Sequence, residues 1–355
     1  MHQVIVGAAQ HDAITNMALE MREILRTKYH SEIFSYHVPS DDFAGSIYHL
    51  DSLPPYREDS KIIYHLSFGI PELTNFVLQR KEEIIVHYHN VTPSLRYKSI
   101  LPTFAESLDY GREELSLLKS KASQALADSQ FNADELLACG YEHVTVLPAG
   151  LNAKRLDEIP IDPFFLSQLR GHFPNGYILF VSQVLPHKRV DHALQMVHLL
   201  RSIHKLDIGL VIAGPIRQPA YLHALSRLRQ QLSECHVLFT DEVTDSQLAT
   251  LYRDCLCYIG TSEHEGLSIP PLEAMANSAP VVARGAGAVP ETVGIGGIVL
   301  DEDVSLLEFT EVVARVLETP ELQGSLRLAG RQRIEEIGAM FSPEALAVSL
   351  DRVLL

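Results

Sequence analysis

No apolar run in this chain of 355 residues approaches the roughly 18 residues that a membrane-spanning helix needs. No basic leader followed by a long apolar block stands in the opening "MHQVIVGAAQHDAITN", so no secretory signal is expected. Basic residues are scarce. The 29 Lys and Arg against 45 Asp and Glu give a formal net charge of -16. That balance argues against nucleic acid or an anionic membrane as the main partner, because both reward basic surfaces. Cysteines number four, and Cys255 and Cys257 lie two apart in "CLCYIG", which reads as a buried strand with both thiols on one face. No matching Cys or His pair accompanies them, so core thiols rather than metal ligands are expected, in a reduced cytoplasmic setting. There are no low-complexity tracts and no short repeats. What remains is the composition of a soluble globular protein, 46% hydrophobic, 21% charged and 7% aromatic, too long for one ordinary core.

Short apolar runs alternate with helical stretches. "QVIVGA" (3–8) reads as a strand, and Ile14, Met17, Ala18, Met21, Ile24 and Leu25 then share a helical face. Further strands are expected at "EIFSYHV" (32–38), "KIIYHL" (61–66), "EIIVHYH" (83–89), "ALAD" (125–128) and "HVTVLP" (143–148). "GLNAKRLDEIPIDPFF" (150–165) has weak periodicity and reads as the start of a linker, after which the pattern restarts. Its strands are expected at "YILFVS" (177–182), "IGLVIAG" (208–214), "HVLF" (236–239), "CLCYIG" (255–260), "PVVA" (280–283) and "GIVL" (297–300). The alternation predicts an α/β protein of two doubly wound, Rossmann-like halves. The expected division is 1–155 and 156–341, with a last helix at 342–355 packing back on the first domain. Ligands gather at the carboxyl ends of the strands in such sheets, and the motifs lie just after strands.

"TSEHEGLSIPPLEAMA" (261–276) follows a strand and enters a helix. Pro270 and Pro271 suit the first turn, and Gly266 admits a ligand close to the backbone. A helix N-terminus suits phosphate. Glu265 and Glu273 are better suited to accept hydrogen bonds from hydroxyls, as a sugar or a ribose supplies. The residues therefore describe a phosphate flanked by two hydroxyl-bearing rings, which is a nucleotide sugar.

The stretch from Glu265 to Ala283, with its E-x7-E spacing, helix and "PVVA" strand, resembles the retaining GT-B glycosyltransferases, in particular glycosyltransferase family 4 of the bacterial group 1 type. The resemblance covers essentially the whole chain and is strongest from about 125 to 300. It implies two domains facing a central cleft, with Glu265 by the donor sugar and Glu273 on the nucleotide ribose. The backbone of Gly266, Leu267, Ser268 and Ile269 would meet the sugar and diphosphate. "FVSQVLPHKRVDHAL" (180–194) matches the family's diphosphate clamp at Lys188, but the usual Arg is Gln183, which brings no charge; His187 or Arg189 would have to compensate. Gly214 in "VIAGPI" and Glu242 with Val243 in "FTDEVTDSQL" match positions near the nucleotide.

In the first half, "IIVHYHNVTPSLRY" (84–97) ends a strand with His87, His89 and Asn90, and the resemblance places His89 beside the donor sugar. A metal site and a core histidine are the rival readings there. "GAAQHDAITNMAL" (7–19) lacks the family's glycine pair, which leaves Asp12, Thr15 and Asn16, with Asn90, as acceptor or cleft candidates. "ADSQFNADEL" (127–136) is a framework mark only, and "DED" (301–303) reads as an acidic helix start rather than a metal motif.

The resemblance implies retaining transfer of a hexose-type sugar from a nucleotide-sugar donor to a glycan, glycolipid or small-molecule acceptor. Glu265, His89 and Lys188 would carry the chemistry. Neither metal nor cofactor is expected, and the setting is cytoplasmic or at the inner face of a membrane. The alternatives are a nucleotide-sugar 2-epimerase and a catalytically inactive subunit that binds nucleotide and activates a partner.

Overall fold

The structure is a computed structural model and describes residues 1–10, 12–147, 156–232, 235–338, 340 and 342–354. Residues 148–155, where the linker is expected to begin, and the ends of the expected "HVTVLP" strand and C-terminal helix lie outside the described residues. The chain forms two compact units, Met1–Asn152 with Ala339–Leu355, and Ala153–Gly338.

The first unit runs β1 (His2–Ile5), α1 (Ala13–Arg26), β2 (Ile33–Ser35), β3 (Ile47–His49), β4 (Lys61–Leu66), α2 (Pro71–Gln79), β5 (Glu83–Tyr88), α3 (Pro102–Leu118), β6 (Ala122–Ala127), α4 (Gln130–Ala138) and β7 (Val144–Val146). Its seven-stranded sheet has the order β3-β2-β1-β4-β5-β6-β7, and every pairing is parallel. Helices cover both faces, so the central strands are apolar without alternation: Ile62, Ile63, Tyr64 and Leu66 are all buried. Ile62, Tyr64, Ile84, Val86 and Tyr88 pack with Leu73, Val77, Leu115 and Leu136 of α2 to α4 on one face. Ile63, Ile85 and Leu126 pack with Met21 and Leu25 of α1 on the other, joined by Leu346 and Leu350 of a C-terminal helix (Pro343–Leu354).

The second unit runs α5 (Pro163–His172), β8 (Tyr177–Val181), α6 (Val190–Ser202), β9 (Gly209–Ala213), α7 (Pro219–Gln231), β10 (Val237–Asp241), α8 (Asp245–Asp254), β11 (Cys257–Gly260), α9 (Ile269–Ala276), β12 (Val281–Arg284), α10 (Val289–Val293), β13 (Ile298–Leu300), α11 (Leu306–Glu318) and α12 (Pro320–Gly338). Its sheet, β10-β9-β8-β11-β12-β13, is again parallel throughout. Both sheets reverse strand order at their first strand, which opens a crevice at the carboxyl ends of β1 and β4 in one unit and of β8 and β11 in the other.

Three local expectations are corrected. β3 is missing from the sequence reading because three residues are too few for a pattern. Cys255 is the cap residue ending α8, not part of β11, although both it and Cys257 are buried and burial pushes the Cys257 thiol up to about 12. Asp301–Asp303 form an exposed turn ahead of α11, whose start is instead capped by Ser305 and Glu308.

Glu114 of α3 is buried under the first sheet, and its Oε1 accepts from the Tyr64 hydroxyl at 2.8 Å. Thr74 Oγ1 spends its hydrogen on Ile70 O, and Glu114 Oε2 has no partner. Burial raises the Glu114 carboxyl from 4.5 to about 7, against the pull of the Tyr64 hydroxyl. A raised folded value means the stabilisation is full below 4.5 and lost as pH rises through about 7. Glu114→Gln should therefore gain about 2 kcal/mol over the wild type between pH 5 and pH 8 in urea unfolding, and parallel pH profiles would contradict it.

Candidate active site

The second crevice gathers the strongest sequence candidates. The loop after β8 carries Gln183 and Lys188, and the loop after β11 carries Thr261 to Ser268. Thr261 Oγ1 donates to the carbonyls of Lys188 and Arg189, and the Glu263 amide donates to His187 O at 2.9 Å. These bonds sew the two loops together and bring Lys188 to Glu265. The Lys188 ammonium sits 2.8 Å from both carboxylate oxygens, with the two side chains only 18% and 12% exposed. The glycine-rich stretch after β12 braces the same loop from behind. The Ala288 amide and the Thr292 hydroxyl donate to the carbonyls of Glu265 and Leu267. Gly287 has φ +58, and a Cβ there would lie 2.2 Å from Glu265 O, so only glycine fits.

The helix entry is less rich in donors than a bare helix N-terminus. Ser268 caps α9 in a left-handed conformation without a side-chain cap, and prolines at 270 and 271 supply no N–H. The amides of Leu267, Ser268 and Ile269 have no acceptor among the described residues, so they are the donors left for an anion. Glu273 sits in the second turn of α9 and not at its start. The buried Tyr252 hydroxyl donates to its Oε2 at 3.0 Å and fixes the half-buried carboxylate.

Neither expected substitute for the missing arginine is available. His187 is buried, and desolvation holds it well below the usual imidazole range, so it is neutral. The Arg189 guanidinium is bound to Asp191, Glu263 and His192. The Gln183 amide has no hydrogen-bond partner among the described residues and stands half-buried beside the crevice. Gly214 has φ +133, and a Cβ there would meet Ser182 O at 2.2 Å; this backbone approach alone accounts for the glycine. Glu242 is exposed and faces Arg217 at 3.5 Å, with half-buried Val243 next to it ahead of the Thr244 capping box.

The first unit alters the expectations for its candidates. Asp12 caps α1 by accepting from the Thr15 amide at 2.9 Å and the Thr15 hydroxyl at 2.8 Å, and Thr15 is fully buried. Those two residues serve the helix start, and exposed Asn16 is the candidate left in that segment. Asn90 is buried and its amide donates to Asn132 and Glu135, so it is an interior residue rather than a cleft one. The His89 side chain is 2% exposed with both nitrogens engaged: Nδ1 with Asp128 and Nε2 with His65, each at 2.8 Å. His89, expected beside the donor sugar, is a ring enclosed by partners of its own unit. His87 joins through Nε2 to the other Asp128 oxygen at 2.8 Å. Sequence reasoning missed Asp128 and His65, though the spacing of "HYH" (87–89) already signalled a shared face. Ring nitrogens of His65, His87 and His89 lie within 4.8 Å of one another, the one such set among the described residues.

The family described as Glycosyl transferases group 1 matches residues 173–333, which hold the second crevice. The MMP alpha-(1->4)-mannosyltransferase of Mycolicibacterium hassiacum is 29% identical over 67% of this chain, which spans 53% of that protein, about half its length. The Alpha-1,3/1,6-mannosyltransferase ALG2 of Mus musculus is 33% identical over 78% of this chain and 68% of its own length. The crystal structure of Anabaena Alr3699/HepE in complex with UDP and glucose superposes with a TM-score of 0.75 at 14% identity, covering 99% of this chain and 98% of that one. The fold is therefore GT-B, and the chain belongs to the group 1 glycosyl transferases.

Proposed function

We propose that this chain is a retaining glycosyltransferase that moves a hexose from a nucleoside-diphosphate sugar to a glycan, glycolipid or small-molecule acceptor. The observation that carries the reading is the Lys188–Glu265 pair assembled at the crevice of the second sheet, with Glu273 oriented by Tyr252 one helix turn beyond. The names of the two mannosyltransferase relatives make mannose the first sugar to test. Glu273 would accept from the ribose hydroxyls. Lys188 and the amides of Leu267 to Ile269 would bind the diphosphate, where negative charge grows as the glycosidic bond breaks. Glu265, which pairs with Lys188, would hold the sugar. An inactive subunit or an epimerase gains no comparable support.

The test is turnover with GDP- and UDP-linked mannose and glucose beside a thermal-shift panel of the same compounds. Ligand at 100 times its Kd adds roughly 2.7 kcal/mol of stability. Slow hydrolysis or transfer of one donor supports the reading; nucleotide binding without any turnover overturns it. Turnover should also survive EDTA. Among the described residues, no cluster of carboxylates accompanies Lys188 that could present a hard cation to the phosphates. Loss of activity in chelator, restored by a divalent ion, would contradict that expectation.

A further inference from the structure

The turn that presents Lys188 bends at a residue ill suited to bending. Arg189 closes the short 3-10 turn Pro186–Lys188 and is the residue from which α6 starts. It takes φ +55 and ψ +47 there. That left-handed conformation is costly for a residue with a Cβ, whereas glycine adopts it freely. An arginine held in it must recover the cost through its side chain.

The guanidinium is 13% exposed and engaged on every nitrogen. Nε donates to one Asp191 oxygen at 2.9 Å, and Nη2 donates to the other at 2.8 Å and contacts His192. Nη1 donates to Glu263. Burial opposes ionisation of Asp191, yet its bonds from Arg189 hold it below the usual carboxylate range. Asp191 lies in the first turn of α6, and Glu263 lies on the loop after β11, so the fork ties a helix start to the facing loop. The main chain joins at the same level. The Glu263 amide donates to His187 O at 2.9 Å, and the buried Thr261 hydroxyl stands 2.9 and 3.1 Å from the carbonyls of Lys188 and Arg189.

Two ion pairs therefore bridge the loops side by side, Lys188 with Glu265 and Arg189 with Glu263. They differ in what they can release. Lys188 is a point charge on a flexible stem and can turn from its carboxylate to a phosphate. Drawing Arg189 away would leave two carboxylates, Asp191 and Glu263, uncompensated in a half-buried site.

We propose that Arg189, with Asp191 and Glu263, is a positioning residue that locks the 186–191 turn against the loop after β11 and so sets where Lys188 stands. What Lys188 then binds rests on the glycosyltransferase reading above; the lock itself does not.

The experiment uses Arg189→Gly and Arg189→Lys in the full chain. Glycine keeps the path of the turn without strain, so Arg189→Gly removes the ties and should still fold. Lysine keeps the charge but not the fork. Calorimetry with GDP and UDP, and kinetics with the active donor, should show losses of about 10-fold in diphosphate affinity and in kcat/KM for both variants. Added to Lys188→Ala, Arg189→Gly should cost little more, because a residue acting through Lys188 then has nothing to position. Fully additive losses, wild-type binding by Arg189→Gly, or full rescue by Arg189→Lys would each overturn the proposal. If Arg189→Gly does not fold, Glu263→Gln cuts the same bridge from the other loop and is read in its place. A readout without donor is the coupling between Lys188→Ala and Glu265→Gln in urea unfolding. It should fall by roughly half or more in the Arg189→Gly background, and an unchanged coupling would contradict the lock. A wild type that binds no nucleotide and turns over no donor would defeat the glycosyltransferase reading, and the unfolding cycle would then decide the lock alone.

Discussion

Glu265→Gln should lower kcat by about 10²-fold or more, the scale of losing a transition-state contact, while free nucleoside diphosphate binds as well as before or better. Both halves follow from one contact. The Glu265 carboxylate holds the Lys188 ammonium through both oxygens at 2.8 Å. A diphosphate must draw Lys188 away from that carboxylate, so part of its binding energy goes into breaking an ion pair. The amide keeps the shape and drops the charge, which releases Lys188 to the phosphates. The reaction nevertheless loses the group proposed to sit beside the sugar. Steady-state kinetics with the active donor and calorimetry with the diphosphate check the two halves separately; a fully active variant would sink the assignment.

Lys188→Ala should reduce kcat/KM for the donor by roughly 10- to 100-fold, since a charge-assisted hydrogen bond to phosphate is worth about 1.5–3 kcal/mol. The neighbouring cations cannot take over. His187 is neutral in its buried site, and Arg189 is bound by Asp191 and Glu263. The alanine also leaves Glu265, 12% exposed, with its charge uncompensated where the proposed diphosphate would bind. Adding Glu265→Gln removes that repulsion, so diphosphate affinity of the double variant should exceed that of Lys188→Ala alone. Donor kinetics unchanged by Lys188→Ala would make Lys188 a plain structural partner of Glu265.

The fold was legible because parallel strands covered on both faces must be apolar along their length. β4 (Lys61–Leu66) shows this well: its expected and observed limits coincide. The three residues of β3 carry no such run, and Cys255 continues an apolar stretch after its helix ends. The loops at 183–188 and 261–268 were legible because lysine, glutamates, glycine and prolines each restrict what the loop can bind. Their mutual contact was not, since Lys188 and Glu265 are far apart in sequence and meet only through the order β8-β11 of the second sheet. Asp12, Thr15 and Asn90 looked like binding residues because capping and ligand binding use the same polar groups. Only their partners tell the two apart. Asp128 was passed over for the converse reason: one Asp at a strand end is ordinary until His87 and His89 of the neighbouring strand engage its two oxygens, with His65 behind His89.

In the proposed mechanism one glutamate serves the sugar and the other the nucleotide. Glu273, fixed by Tyr252 at 3.0 Å, would hold a part of the donor that does not react. Uniform binding is then what its loss removes, equally from donor and from free diphosphate. The most direct measurement is paired calorimetry of Glu273→Gln and Glu265→Gln with the nucleoside diphosphate of the active donor. Glu273→Gln should weaken binding by about 10-fold, the scale of one hydrogen bond to a charged group, and Glu265→Gln should not weaken it at all. Equal losses of diphosphate affinity in the two variants would contradict the account.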